Sequence, residues 1–228
     1  MHVVKVVHAV GVDGARSAAG VVVVIDVLRA FTVSAYALAG GARECLLVTT
    51  VDEARALAAA TPGAIISAEV DTLPVAGISI SNSPTQIVEA DVQGHSLVQR
   101  TSAGTQAIRA VAGADAMYAA SLVVARATAQ ACLLRKPQTV TLVASGDFPE
   151  DHACARYIEA LMHGDDDEDL SRLLESLIDS ERYQKFARGD WPGFPANDLD
   201  LALATDRFDF AMPATSDERW VRLTAERA

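Results

Sequence analysis

Residues Val21-Val22-Val23-Val24-Ile25 form an unbroken β-branched run that ends, within four residues, in Asp26 and Arg29. Such a run reads as a strand covered on both faces, because a strand with one wet face would alternate apolar and polar residues. It restricts the chain to folds in which other layers shield both sides of a sheet. A helix over about 30–39, closed by Gly40-Gly41, should follow, so the acid and the base sit at a strand-to-helix junction. Ligands of open α/β sheets gather beyond the carboxyl ends of the strands. At that place Asp26 could hold a metal or act as a nucleophile, and Arg29 could grip an oxyanion. The simpler alternative is a helix-capping aspartate beside a structural ion pair.

The rest of the chain supplies more strands and helices in alternation. Residues 2–10 read as a strand, 11–14 as a loop, and 44–48 as a short strand. Thr50-Val51-Asp52-Glu53 has the form of a capping box and opens a helix through residue 60. A strand over 64–67 leads into an irregular stretch, 68–84, whose embedded apolar residues favour an ordered loop. Strands at 96–99, 116–119 and 139–144 alternate with helices ending near 112, 134 and 162, and Ser121 stands at the start of the second of these. This pattern predicts an α/β protein: a three-layer α/β/α fold with a largely parallel or mixed sheet. Residues 1–228 form one domain, with an alternating core over 1–163 and a helical extension over 164–228 packed on it. The acidic run 165–169 reads as a solvated linker, 170–187 and 197–204 as amphipathic helices, and 208–212 as an added edge strand.

Charge narrows the function. With 30 acidic residues against 19 basic ones the formal net charge is −11, which opposes general nucleic-acid binding. Aromatic residues are only 5% of the chain, too few for a base-stacking platform. Cys45, Cys132 and Cys154 are odd in number and widely spaced, so neither a disulfide framework nor a metal pattern is present. A reducing, cytoplasmic setting is expected, with no signal peptide and no membrane-length apolar run. A homodimer is compatible with this composition.

Four segments each follow a strand: Asp26/Arg29, Glu69, the stretch Arg100-Thr101-Ser102-Ala103-Gly104-Thr105, and 145–151 with Glu150 and Asp151. In a parallel sheet they converge on one edge. The stretch from Arg100 offers hydroxyls, a glycine that permits close backbone approach and a helix start, which together could cradle an anion. It could equally be a capped turn, and Glu150 and Asp151 could merely favour the helix dipole. Carboxylates and an anion cradle on one edge suit phosphate-ester chemistry with a hard divalent cation.

Taken in order, Ile25-Asp26-Val27-Leu28-Arg29-Ala30, Asn82-Ser83-Pro84, Ser102-Ala103-Gly104-Thr105, Glu150-Asp151-His152-Ala153-Cys154-Ala155 and Phe208-Asp209-Phe210 resemble the 2-phosphosulfolactate phosphatase family across nearly the whole chain. The resemblance implies a Mg²⁺-dependent phosphatase acting on a small, sulfonated anionic phosphoester. It casts Asp26, Arg29, Glu69 and Asp151 as catalytic, and Asp26, Glu69, Glu150 and Asp151 as the metal's ligands. Asn82, Ser83, Arg100, Ser102, Gly104 and Thr105 would bind the substrate. The chain departs from the family pattern at Ala68-Glu69-Val70, where Gly-Glu-Arg is usual, and at Thr101-Ser102, where an Asn is lost. Arg100 is then the replacement cation. Arg156 likewise stands where a small residue is usual, and Val123 and Val124 where an Asn is.

Other phosphatase designs do not fit. Leu28 stands where the second aspartate of an Asp-x-Asp motif beginning at Asp26 would be. The residues six beyond the three cysteines are Val51, Gln138 and Ala160, none of them the arginine a cysteine phosphatase needs. His2, His8, His95, His152 and His163 lack zinc-ligand spacing. Two alternatives stay open: an anion-binding or regulatory module without turnover, and a phosphatase for a phospho-hydroxy acid without a sulfonate.

Overall fold

The computed structural model describes residues 4–165 and 170–227; residues 166–169 of the acidic run lie outside the described residues. Strand β2 (Ala19–Ile25) is the run with which the argument began. Val22 and Val24 enter one hydrophobic core, and Val21, Val23 and Ile25 enter another on the opposite face. Both faces are dry, as the β-branched run requires.

Around β2 a parallel group forms in the spatial order β1 (Lys5–Val10), β8 (Thr139–Ala144), β2, β7 (Gly113–Ala120). A second parallel group contains β3 (Glu44–Val48), β6 (Ser96–Arg100) and β4 (Ile65–Val70). The two are joined by β9 (Phe210–Ser216) and β10 (Val221–Leu223), an antiparallel hairpin inserted between β7 and β3. Short strands β5 (Leu73–Pro74) and β11 (Glu226–Arg227) pair with β4 and β9. The result is a mixed, mostly parallel sheet carrying helices, an α/β fold.

Helices α2 (Ala30–Ala39) and α5 (Gly104–Ala110) share a core with both strand groups, Val22 and Val24 on one side and Cys45, Leu47 and Leu97 on the other. Helices α6 (Ala125–Leu134) and α7 (Pro149–His163) cover the opposite face of β2 and β8. Helix α3 (Val51–Ala60) covers the far face of β3 and β6, and its capping box forms as the sequence signals, with Glu53 N donating to Thr50 Oγ1. Three further helices, α8 (Leu170–Ile178), α9 (Glu181–Ala187) and α10 (Asn197–Ala202), make up the first part of the tail.

Several expectations need correction. Residues 208–212 do not make an edge strand: β9 is paired on both sides, and Phe210, Ala211 and Met212 are buried. Residues 11–14 are not a loop but open helix α1 (Gly11–Ser17), where Gly14 lies so close to Ala9 that an added Cβ would stand 3.0 Å from the alanine's own. Within 68–84, β4 continues to Val70 and turns through Asp71 and Thr72, both left-handed, into β5. Ser121 makes no helix cap; a 3₁₀ turn, Leu122–Val124, precedes α6. No helix among the described residues is long and apolar enough to cross a membrane.

Candidate active site

At the carboxyl end of β2, Asp26 Oδ1 accepts the Ala30 N–H at 2.9 Å and so starts α2. Among the described residues nothing bonds its other oxygen, Oδ2. The carboxylate lines a cavity of about 180 Å³ with Glu69, Arg29, Asn82 and the turn Thr101-Ser102-Ala103. Drug-sized pockets occupy roughly 300–1,000 Å³, so this one admits only a compact ligand. Burial, helped by Glu69 and Glu150 and opposed by the Ala30 amide, pushes the Asp26 carboxyl up to about 6.

Arg29, across the cis peptide that links it to Leu28, is buried. Its Nη1 donates to Asp198 Oδ2 and to Gly193 O, both at 2.7 Å, and its guanidinium lies 4.0 Å over the Phe194 ring. Burial pulls its pKa down while Asp198 pulls it up. Asp198 also accepts from Ser83 Oγ and Thr85 N through Oδ1.

Asn82-Ser83-Pro84 divides its tasks. Asn82 takes a left-handed backbone (φ 60°), tolerated by asparagine, and its Oδ1 accepts from Gln99 Nε2. Ser83 Oγ accepts the Gln86 N–H and caps α4 (Pro84–Glu89), which opens on Pro84. The Ser83 hydroxyl is therefore spent on the cap and on Asp198, and does not line the cavity. Gln99, buried between β6 and α2, ties Asn82 and Ser34 to the Ala30 carbonyl.

Glu69 organises the cradle rather than standing free. Its Oε1 accepts Ser102 N at 2.5 Å, and its Oε2 accepts Thr72 N at 2.5 Å and Ser102 Oγ at 3.2 Å. Thr105 closes the same turn: its Oγ1 accepts Thr101 N and donates to Thr101 O, so it too stays off the cavity wall. Gly104 is required by close approach, since a Cβ there would stand 2.6 Å from Asp26 Oδ2 and 2.8 Å from Ala30 Cβ. Arg100, expected as the cradle's cation, is turned to another task. Its Nε donates to Thr49 O and its Nη1 to Glu69 O and Ser102 Oγ, which braces the loop from behind.

Asp151 Oδ1 accepts Val27 N, and Oδ2 accepts Ser145 N and Oγ, so it locks α7 to the ends of β2 and β8. Burial, with Asp26 and Glu150 adding to it, drives its carboxyl well above the usual range. Glu150 is also buried: Oε1 accepts Arg182 Nη1 at 2.6 Å, while Oε2 has no partner among the described residues. Burial raises its pKa against the opposing pull of Arg182.

The sequence reading missed the tail's share of the site. Arg182, Phe186 and Phe194 line the cavity, and Asp198 holds Arg29. Local signals were slight: a Ser180 cap on α9, and Trp191-Pro192-Gly193-Phe194-Pro195, an aromatic-rich turn in an aromatic-poor chain.

The donor set suits a hard cation, for only oxygens are offered. No group of three or more His, Cys, Asp or Glu side chains among the described residues is arranged to enclose a metal. Glu69 and Asp151 have given both oxygens to N–H and O–H donors, whereas Asp26 and Glu150 each keep one. This fits Mg²⁺, which commonly binds through one or two carboxylates, substrate phosphate and water, better than a cation in an all-protein cage.

Fold and site together define an α/β protein with a small cavity of carboxylates and guanidiniums at its strand ends. Residues 10–211 match the family described as 2-phosphosulpholactate phosphatase. A protein of Bacillus subtilis named probable 2-phosphosulfolactate phosphatase is 32% identical over 200 residues, covering 86% of this chain and 87% of that one. A protein of Symbiobacterium thermophilum with the same name is 37% identical over 164 residues, covering 69% and 70%. One from Clostridium perfringens, named alike, is 30% identical over 166 residues, covering 69% and 67%. The chain belongs to the 2-phosphosulfolactate phosphatase family, a family of phosphoric monoester hydrolases.

Proposed function

We propose that the chain hydrolyses 2-phosphosulfolactate to sulfolactate and inorganic phosphate with the help of Mg²⁺, in the cytoplasm. The observation that carries this reading is Asp26, a buried carboxylate with one unspent oxygen in a small cavity that also holds two guanidiniums. The names of its relatives supply the substrate.

Charge explains the cation. Arg29 is paired with Asp198 and Arg182 with Glu150, so the cavity has no surplus positive charge to meet a phosphate, a sulfonate and a carboxylate. Mg²⁺ held by Asp26, with Glu150 the other carboxylate keeping a spare oxygen, would supply that charge and favour hydroxide over water. The chain's own groups do the rest. Arg29, fixed by Asp198 and Phe194, offers a guanidinium that need not reorganise as charge develops on the phosphoryl oxygens. The turn Thr101-Ser102-Ala103, held by Glu69, forms the opposite wall. Phe148, Phe186 and Phe194 keep bulk water out and strengthen every charge interaction inside. Water gives up a proton as its oxygen attacks phosphorus, the ester P–O bond breaks, and the departing alkoxide takes up a proton in exchange to become the hydroxyl of sulfolactate.

Phosphate release from 2-phosphosulfolactate, 2-phospholactate and p-nitrophenyl phosphate, each with Mg²⁺ and with EDTA, tests the reading. Metal-dependent release that is fastest from the sulfonated ester is expected. Release from no ester with any divalent cation would favour an anion-binding module, and faster release from 2-phospholactate would favour a non-sulfonated substrate.

A further inference from the structure

The geometry points to Arg182 as the specificity-determining residue of this site, the cation that reads the sulfonate; the inference rests on the sulfonated ester proposed above. Among the described residues two arginines line the cavity, and they are not equivalent. Arg29 has committed its Nη1 to Asp198 and Gly193 O, and its Nη2 reaches Ser81 O at 3.4 Å. Among the described residues Arg182 makes one hydrogen bond, from Nη1 to Glu150 Oε1. A guanidinium has five N–H donors, so most of those on Arg182 remain for a ligand.

Its setting suits one kind of anion. The guanidinium lies 4.3 Å from the Phe148 ring centre and 5.2 Å from that of Phe186, with its side chain 27% exposed. Aromatic flanks hold a planar, weakly hydrated cation in place and leave its edge for a fork of parallel hydrogen bonds. A sulfonate is a weakly hydrated anion with three oxygens and loses little on entering such a place. A phosphate dianion is far more strongly hydrated and belongs beside the turn and Asp26. Glu150 keeps Arg182 over the cavity, and its Oε2, unpartnered among the described residues, lies below the surface.

Arg182→Ala would leave Glu150 buried without its partner, so folding alone could disable it. Arg182→Met with Glu150→Gln removes both charges while a methionine stem keeps the space between the two rings; Arg182→Lys keeps the charge without the fork. The reading is the ratio of kcat/KM for 2-phosphosulfolactate to that for 2-phospholactate. Altered charge at Asp26 and weaker Mg²⁺ binding from Glu150→Gln affect both esters alike and cancel in the ratio. The double variant should lower it about ten- to a hundredfold, the range for one charge-assisted guanidinium contact, mostly through KM for the sulfonated ester, and Arg182→Lys should lower it less. A ratio within twofold of wild type in a folded double variant would overturn the assignment while leaving the hydrolase reading intact. A parallel titration measures the binding of sulfolactate and of lactate by calorimetry, which needs no turnover. If the wild type releases no phosphate from either ester but binds sulfolactate, and the double variant does not, the hydrolase reading fails and the assignment stands. Equal sulfolactate binding by both proteins, or binding by neither, overturns it.

Discussion

Asp198→Ala should be among the most damaging single changes outside the strand-end carboxylates. Its carboxylate meets Arg29 Nη1 at 2.7 Å, and the side chains are 0% and 2% exposed, so solvent screens neither partner. Its other oxygen holds Ser83 Oγ at 2.7 Å and Thr85 N at 3.0 Å. Deleting one member of a buried ion pair costs about 3–5 kcal/mol, because the remaining charge stays buried. Arg29 keeps Gly193 O and the Phe194 ring, which argues for the lower end, about 3 kcal/mol. At about 2–4 °C per kcal/mol for a domain of this size, the melting temperature should fall by about 6–12 °C. Asp198→Asn should do almost as badly, since it removes the charge that Arg29 faces. Arg29→Met with Asp198→Asn removes the buried charges together and keeps the bonds to Ser83 and Thr85, so it should recover most of the stability and none of the turnover. Scanning calorimetry at pH 7.5 with EDTA reads all three. A fall below about 2 °C for Asp198→Ala would show that Arg29 does not depend on this partner, and would refute the fixed charge on which the proposed catalysis leans.

Four further outcomes follow from the same geometry. Asp26 titrates near 6 when folded and about 3.9 when unfolded, so the folded chain holds the extra proton between those values and its stability falls as pH rises through that window. At about 1.4 kcal/mol per unit the cost above pH 6 reaches about 3 kcal/mol; metal-free Asp26→Asn should therefore melt higher than wild type at pH 7.5, lose that gain by pH 4, and release no phosphate, whereas a gain independent of pH would contradict the assignment. Mg²⁺ should raise the melting temperature of the wild type more than that of Asp26→Asn, and equal shifts would place the cation elsewhere. Gly104→Ala forces a methyl against Asp26 Oδ2 and Ala30, which should cost about 1–3 kcal/mol and slow turnover; unchanged melting and kcat would mean the backbone there gives way. Arg100→Ala should lower the melting temperature and reduce kcat/KM equally for sulfonated and plain esters, since Arg100 braces Thr49 O and Glu69 O; a selective rise in KM for the sulfonated ester would return it to the cavity wall.

What could be read from the sequence was local. The β2 run, the Thr50 capping box and the turn signals at Gly40-Gly41 and Pro149 act over a few residues, and each formed where its chemistry placed it. Asp26 and Glu69 were legible because a carboxylate at the end of a buried strand is costly without a use. Arg182 and Asp198 were not legible. Arg29 and Asp198 lie 169 positions apart, and Glu150 and Arg182 32 apart, on amphipathic segments that look alike until packed. Arg100 misled for a related reason: a cation beside a cradle looks like a ligand for the substrate until the carbonyls of Thr49 and Glu69 are seen to claim it. The tail's strand was placed at an edge because its short apolar run carries no sign of how many neighbours it will have.

The β9–β10 hairpin also governs the order in which the molecule can be completed. Residues 5–144 contain every strand of both parallel groups, yet β7 and β3 each present an unpaired edge until residues 210–223 have been synthesised and have threaded between them. Open edges invite pairing with other chains, and closure over such a separation is slow. A nascent chain of this design is thus most exposed to aggregation until that hairpin has emerged. Chaperone demand should peak in that interval, and ribosome-bound chains stalled at residue 205 should be far more aggregation-prone than chains that already carry residues 210–223.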